Sequence, residues 1–308
     1  LSSWTAITMK VKEYYIFLLI LQTGMSGAFV SLDFLLFFLF WEVMLVPMYF
    51  LIGIWGSDNR LYSAIKFFLY TLVGSVIMLL GILAVYFYNH QVTGVYTFDI
   101  TQFHELNMPF DLQWWVFLAF FLGFAVKVPM FPFHTWLPDA HTDAPTAASV
   151  MLAGVLLKMG GYGLLRINVG MFPSQTDRFA WALVALGVVS VLYGAVVTMR
   201  QTDLKRLIAY SSVSHMGLVL VGIGSVGISQ GTLTVTGLNG AAMQLFTHGT
   251  VTGLLFLAVG LVYEKTHTRY IPDLGGLAGR MPVVAVAMLI AGLASLGLPG
   301  LSGFISEL

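Results

Sequence analysis

"FFLGFAVKVPMFPFHTWLPDAH", residues 120–141, decides the fold. It begins as an apolar helix, carries Lys127, and then meets Pro129, Pro132 and Pro138 within a dozen residues. Each proline removes a backbone donor and obstructs the preceding turn. Lys127 stands about 13 residues into its apolar run, which is about 20 Å along a helix rising 1.5 Å per residue. The stretch therefore predicts a membrane helix that breaks near mid-depth with a charge at the break. Irregular backbone at that depth is tolerated only inside protein or beside water.

The rest of the chain agrees with a bilayer. Of 308 residues 58% are hydrophobic and 9% charged, with a mean hydropathy of +0.88; soluble domains carry about a quarter charged residues. Apolar runs lie near 14–31, 33–53, 63–88, 112–128 with a broken continuation, 146–169, 178–199, 205–227, 235–263 and 282–308. The expected fold is all-α: a polytopic transmembrane bundle of about nine helices, one domain over 1–308. No alternating ten-residue pattern suggests a barrel. The 14 Lys+Arg balance 14 Asp+Glu, so there is no basic footprint for nucleic acid, and lipid is the expected surround. With no cysteine, the chain offers no disulfide, thiolate metal site or iron–sulfur ligation. No phosphate-binding loop, dinucleotide fingerprint, GxSxG or HExxH occurs. Beginning at Leu1 and stopping at "GFISEL", the chain reads as an internal piece of a longer membrane protein.

Charge sets the orientation. Alternate loops place Lys10, Lys12, Arg60, Arg200, Lys205, Arg206, Lys265, Arg269 and Arg280 on one side, and only Arg166 and Arg178 on the other. The basic side is the expected cytoplasmic side.

Several ionisable groups fall inside the apolar runs. Between Asp33 and Asp58 the only charged residue is Glu42, in "WEVMLVPMYF". Lys158 sits about a dozen residues from either end of its span, with Gly154, Gly160 and Gly161 around it. A lysine at a helix centre costs roughly 2.5–3.5 kcal/mol on insertion scales. Such residues face the bundle interior and mark ion or proton paths. Small neighbours let helices approach, so Lys158 is expected in a helix–helix seam. The plainer reading of each lysine is a structural ion pair or a snorkelling tail. His215 in "SVSHMG" and His248 in "FTHG" lie in apolar helices too. A lone helical histidine is more often a satisfied core residue, but beside buried lysines and glutamates it suits proton exchange at neutral pH. Lys66, a turn inside its helix, reads as an interfacial anchor or a buried participant. His134, Asp139, His141 and Asp143 resemble a metal set, but the intervening prolines disturb helical ligand spacing, so no metal site is expected.

The last span repeats the opening pattern. "GLASLGLPGLSGFISEL" breaks around Gly297, Pro299 and Gly303 and then presents Glu307. Broken helices in corresponding places of two halves point to an inverted-repeat transporter, with halves at about 14–169 and 178–308, the second cut short.

"FWEVMLVPMYFLIGIWG", "VKVPMFPFHTWLPDAHTDAPTAASVMLAGVLLKMGGYGLLR" and "QTDLKRLIAYSSVSHMG" together resemble the antiporter-like subunits of respiratory complex I, most nearly the M type. The resemblance covers nearly the whole chain. It implies repeats of five helices with two discontinuous helices, and a passage from the fourth into the twelfth of fourteen helices. It also implies a proton relay through Glu42, Lys127, Lys158, His215, His248 and Glu307. A glutamate at 307 matches the M type, whereas L- and N-type relatives carry lysine there. One departure is "HTDAPTAAS", where Asp143 takes the place of the usual glutamate. The resemblance further implies L-type and N-type membrane subunits as partners. NADH, FMN, iron–sulfur clusters and quinone would be bound elsewhere in the assembly, with no cofactor in this chain.

The expected function is a proton-translocating membrane subunit of an NADH:quinone oxidoreductase, in a bacterial cytoplasmic membrane rather than an organelle inner membrane. Its energetics are adequate. A thousandfold change in a lysine's proton affinity is about 4 kcal/mol, and moving a charge against about 150 mV takes roughly 3.5 kcal/mol. An anion beside Lys127 favours its ammonium form, and Glu42 is the candidate. Two rivals are a subunit of a multisubunit cation/proton antiporter or membrane-bound hydrogenase, and a purely structural membrane spacer.

Overall fold

The computed structural model describes residues 3–228 and 235–308, with burial given for 3–226 and 235–308. Among them the chain is helical, and β-pairing is limited to two isolated bridges, Asp33 with Asp99 and Asp203 with Tyr270. The helices are α1 Val11–Val30, α2 Phe34–Val43, α3 Leu45–Trp55, α4 Arg60–Thr93, α5 Ile100–Phe103, α6 Phe110–Lys127, α7 Trp136–Asp143 and α8 Thr146–Met151. They continue as α9 Leu157–Gly163, α10 Pro173–Met199, α11 Leu204–Ile228, α12 Val235–Thr266, α13 Leu277–Arg280, α14 Pro282–Ser295 and α15 Ser302–Glu307.

Eight helices among the described residues are long and apolar enough to cross a membrane. They match the first eight expected spans in order, with ends moved by a few residues. The ninth is split into α14 and α15 by the glycine- and proline-bearing segment between Ser295 and Ser302, where Gly297 and Gly300 take left-handed φ of 65° and 93°. The protein is an integral multi-pass membrane protein.

Three interruptions shape the interior. α6 ends at Lys127, two residues before Pro129, and helix resumes only at Trp136. The span Phe34–Trp55 pauses at Met44; Pro47 has no N–H for the Val43 carbonyl four residues back, so the ladder opens there. The span Thr146–Val169 contains two π-helical segments, Leu152–Leu156 and Leu164–Val169, on either side of α9. π segments shift side-chain register and recur at functional sites. Lys158 lies between them.

Lipid tails are as apolar as leucine, so close packing rather than the hydrophobic effect joins these helices. Leu35, Leu39, Leu69, Leu80 and Leu192 point outward, each at least half exposed. The centre is aromatic: Phe37, Trp41 and Phe124 form one cluster, with the Trp41 and Phe124 rings 5.5 Å apart. The glycine seam expected around Lys158 is present. A Cβ on Gly160 would stand 2.8 Å from the Val128 nitrogen at the α6 break, and one on Gly249 of α12 would stand 2.7 Å from the Gly154 carbonyl.

Candidate functional site

The interruptions deliver the charged side chains to the bundle interior. Lys127, 1% exposed, points its Nζ at the Trp41 ring, 4.5 Å from the centroid, and at Met44 Sδ, 3.7 Å away. Trp41, Glu42 and Met44 all belong to the segment opened by Pro47. The Glu42 carboxylate has a buried Oε1 without a hydrogen-bond partner. Glu42 and Lys127 make no ion pair within 4.0 Å, yet each lies in reach of the other's charge. Their separation leaves the ammonium held by an aromatic face and a sulfur rather than by an oxygen.

Lys158 heads a second, connected group. Its Nζ donates to the Ala153 carbonyl in the π segment and lies 2.7 Å from His248 Nδ1. The ring of His248 is 5.6 Å from that of His215, centroid to centroid, and its Nε2 is buried without a partner. His215 in turn has Nδ1 3.0 Å from Glu307 Oε1 and Nε2 3.0 Å from Ser295 Oγ. Gln244 donates to the same Glu307 oxygen at 3.1 Å, and its own Oε1 accepts from Ser306 at 2.5 Å and Thr247 at 3.0 Å. A cavity with about 10 Å³ open to the centre of a water molecule lies among His215, His248, Gln244, Thr247, Ser295 and Glu307. That is room for about one water, and the lining offers the polar partners a buried water needs.

Of the six residues singled out from sequence, four thus form a line, Lys158–His248–His215–Glu307, and two form a separate neighbourhood, Glu42–Lys127. No hydrogen bond joins Lys127 to Lys158; the two regions meet through backbone packing of Gly160 on the α6 break. Gln244, Ser295 and Ser306 were not anticipated. Gln244 had a legible signal, since it lies one helical turn before His248 on the same face.

The residues resembling a metal set go to different partners. Asp139 Oδ2 pairs with Lys66 Nζ at 2.7 Å and Oδ1 with Arg206 at 3.0 Å. Asp143 accepts from Ser57 at 2.6 Å and Ser63 at 2.5 Å. His141 stacks on Phe256 at 4.4 Å, and His134 packs edge-on to Tyr193 at 4.8 Å. Lys66 is therefore an ion-paired brace between α4 and α7. Lys205, counted from sequence among the loop cations, is instead buried, with its Nζ 2.5 Å from the Ala144 carbonyl.

A helical bundle with two broken helices and a buried row of lysine, histidine and carboxylate side chains defines a polytopic membrane protein with charged groups in its interior. The chain belongs to the NADH:quinone oxidoreductase/Mrp antiporter transmembrane family, whose pattern matches residues 31–308. It is 46% identical over 312 residues to NADH-quinone oxidoreductase subunit M of Rickettsia prowazekii (strain Madrid E), covering 100% of this chain and 60% of that protein. Its fold is similar to a chain of respiratory complex I from Thermus thermophilus with bound NADH, at a TM-score of 0.87 and 34% identity, over 96% of this chain and 61% of that one. It is also similar to a chain of the Mrp complex from Dietzia sp. DQ12-45-1b, at a TM-score of 0.81 and 28% identity, over 94% of this chain and 52% of that one. The chain spans about 60% of the length of the curated relatives it matches.

Proposed function

We propose that this chain is part of an M-type, proton-translocating membrane subunit of an NADH:quinone oxidoreductase in a bacterial cytoplasmic membrane, and that Glu42, Lys127, Lys158, His248, His215 and Glu307 form its transverse proton relay. The observation that carries the reading is the line from Lys158 Nζ through His248 and His215 to Glu307, with contacts of 2.7 Å and 3.0 Å at its ends and a gap at its middle, between the two histidine rings, that opens on a cavity with room for about one water. A structural spacer gains nothing from such groups, whose burial is costly.

Each group has a task its geometry suits. His248 Nδ1 accepts from the Lys158 ammonium; a proton passed to it leaves from Nε2, toward the cavity shared with His215. Glu307 holds His215 by Nδ1. At the other end, Glu42 acts on Lys127 through space, and the Trp41 face keeps the ammonium tolerable when that influence weakens. The two halves, about 14–169 and 178–308, are related as inverted repeats, a reading supported by the helix breaks after Lys127 and after Ser295. Redox chemistry belongs to partner subunits that carry NADH, FMN, iron–sulfur clusters and quinone. Further antiporter-like membrane subunits, of the L and N types, adjoin this one.

The similarity to a chain of the Mrp complex supports a second reading, a subunit of a cation/proton antiporter. Purification of the full-length protein with its neighbours, followed by NADH-driven proton uptake in proteoliposomes, separates the two. Co-purifying redox subunits and NADH-dependent acidification support the first; sodium-dependent proton exchange by an assembly without redox subunits supports the second.

A further inference from the structure

Resting on the relay reading above, we propose that Gln244 is a positioning residue for Glu307. Its amide presents nitrogen to the charged carboxylate and oxygen to the neutral acid, and by inverting it turns the acid proton away from His215. Gln244 is 2% exposed on α12. An amide that deep in a membrane bundle is costly unless its hydrogen bonds are made. A methionine would fill the same space without that cost, so packing alone does not account for the amide.

Its contacts supply the reason. On one side is Glu307 Oε1, shared between Gln244 Nε2 at 3.1 Å and His215 Nδ1 at 3.0 Å. On the other side are two hydroxyls, Thr247 Oγ1 at 3.0 Å and Ser306 Oγ at 2.5 Å from Gln244 Oε1. A carboxylate only accepts, so the amide nitrogen must face it, whereas hydroxyls both donate and accept. The hydroxyls hold the alternative ready. Ser306 Oγ also lies 3.0 Å from the Gly303 carbonyl, and Thr247 Oγ1 lies 2.9 Å from Ser306 Oγ. With Ser306 donating to Gly303 and Thr247 donating to Ser306, the Thr247 oxygen is free to accept from the amide nitrogen. The inverted amide oxygen then faces Glu307, where only a protonated carboxyl can donate to it. A terminal amide torsion is broad and roughly two-fold, so inversion leaves the packing of α12 in place. The carboxyl itself is confined: a Cβ on Gly297, in the turn between α14 and α15, would stand 2.9 Å from Glu307 Oε2. The amide is the part that turns.

The titratable groups facing this carboxyl are His215 from α11 and His248 from α12, while α14 contributes Ser295. When His215 passes its Nδ1 proton to Glu307 Oε1, an N–H bond breaks and an O–H bond forms, with nothing oxidised or reduced. The new hydroxyl points either back to Nδ1 or across to Gln244. Inversion of the amide selects the second and leaves Nδ1 open. Gln244 carries no proton itself; it makes the return of the proton to His215 unfavourable.

The test uses the intact assembly in liposomes, with NADH-driven proton uptake measured at several opposing potentials set by potassium and valinomycin. Gln244→Met keeps the length of the side chain and removes the amide. Uptake per NADH oxidised is expected to fall about 10-fold at high opposing potential, the weight of one hydrogen bond to a charged group. The deficit is expected to shrink as the potential is collapsed, because return of the proton then competes less. If that variant fails to assemble, Gln244→Glu gives the same reading, since it keeps an oxygen for Thr247 and Ser306 but has no amide to invert. Wild-type uptake at every potential overturns the proposal. So does a deficit of the same factor at every potential, which is what a merely structural link between α12 and α15 would produce. If the Gln244 variants are normal while Glu307→Gln is slow, the positioning proposal alone falls; if both are normal, the relay reading falls with it.

Discussion

Lys158 Nζ lies 2.7 Å from Nδ1 of His248, although 90 residues separate them in the chain. Two features allow that contact. The π segments bracketing α9 turn Lys158 toward α12, and Gly249, next to His248, lets the backbone of α12 come against Gly154. Lys158 has a carbonyl and an imidazole as its partners and, among the described residues, no carboxylate within 4.0 Å.

On the proposed relay, His248 receives the proton that Lys158 gives up. His248→Phe preserves ring volume and removes both nitrogens, so proton uptake by the reconstituted assembly should fall on the order of 10²-fold with assembly intact. A rate within twofold of wild type would detach His248 from the path.

Glu307→Gln should separate charge from packing. The amide keeps hydrogen-bonding capacity toward His215 and Gln244 but removes the carboxylate from the end of the line. Proton uptake should drop while thermal stability in detergent shifts by no more than about 1 kcal/mol, in line with an exchanged neutral hydrogen bond.

The glycine seam predicts an asymmetry between two similar substitutions. A Cβ on Gly154 would meet the Gly249 carbonyl at 3.6 Å, ordinary contact, whereas one on Gly249 would meet the Gly154 carbonyl at 2.7 Å. Gly154→Ala should be neutral or stabilising by up to about 1 kcal/mol, and Gly249→Ala destabilising by about 1–3 kcal/mol. Thermal unfolding of the two purified variants measures this; equal effects would contradict the packing.

Asp139 braces the broken helix by pairing with Lys66 of α4 and Arg206 of α11. These side chains are partly exposed, with Asp139 at 20% and Arg206 at 44%, so solvent screens the pairs. Asp139→Asn should cost about 1 kcal/mol, and the deficit should shrink as salt rises. A salt-independent loss would assign the effect to something other than the two ion pairs.

Much of this was legible in the residues. The spans follow from apolar length, and the break at Lys127 from three prolines. The seam around Lys158 follows from its glycines. What sequence reading left open was set by contacts between distant segments. Lys205 reads as a loop cation because it follows Asp203 at the start of a helix, yet α7 folds over it and the Ala144 carbonyl binds its ammonium. The line from Lys158 to Glu307 joins four segments, and no spacing rule connects them. Lys66, open between anchor and participant, was decided by Asp139, 73 residues away. The π segments leave no compositional mark; they depend on the register that neighbouring helices impose.

The measurement closest to the central claim is NADH-driven proton uptake by the reconstituted assembly carrying Lys158→Ala, with assembly and flavin content verified. Because the proposed relay runs through Lys158, the account predicts proton uptake per NADH oxidised well below wild type. Uptake per NADH equal to wild type, in an assembly of unchanged composition, would contradict it.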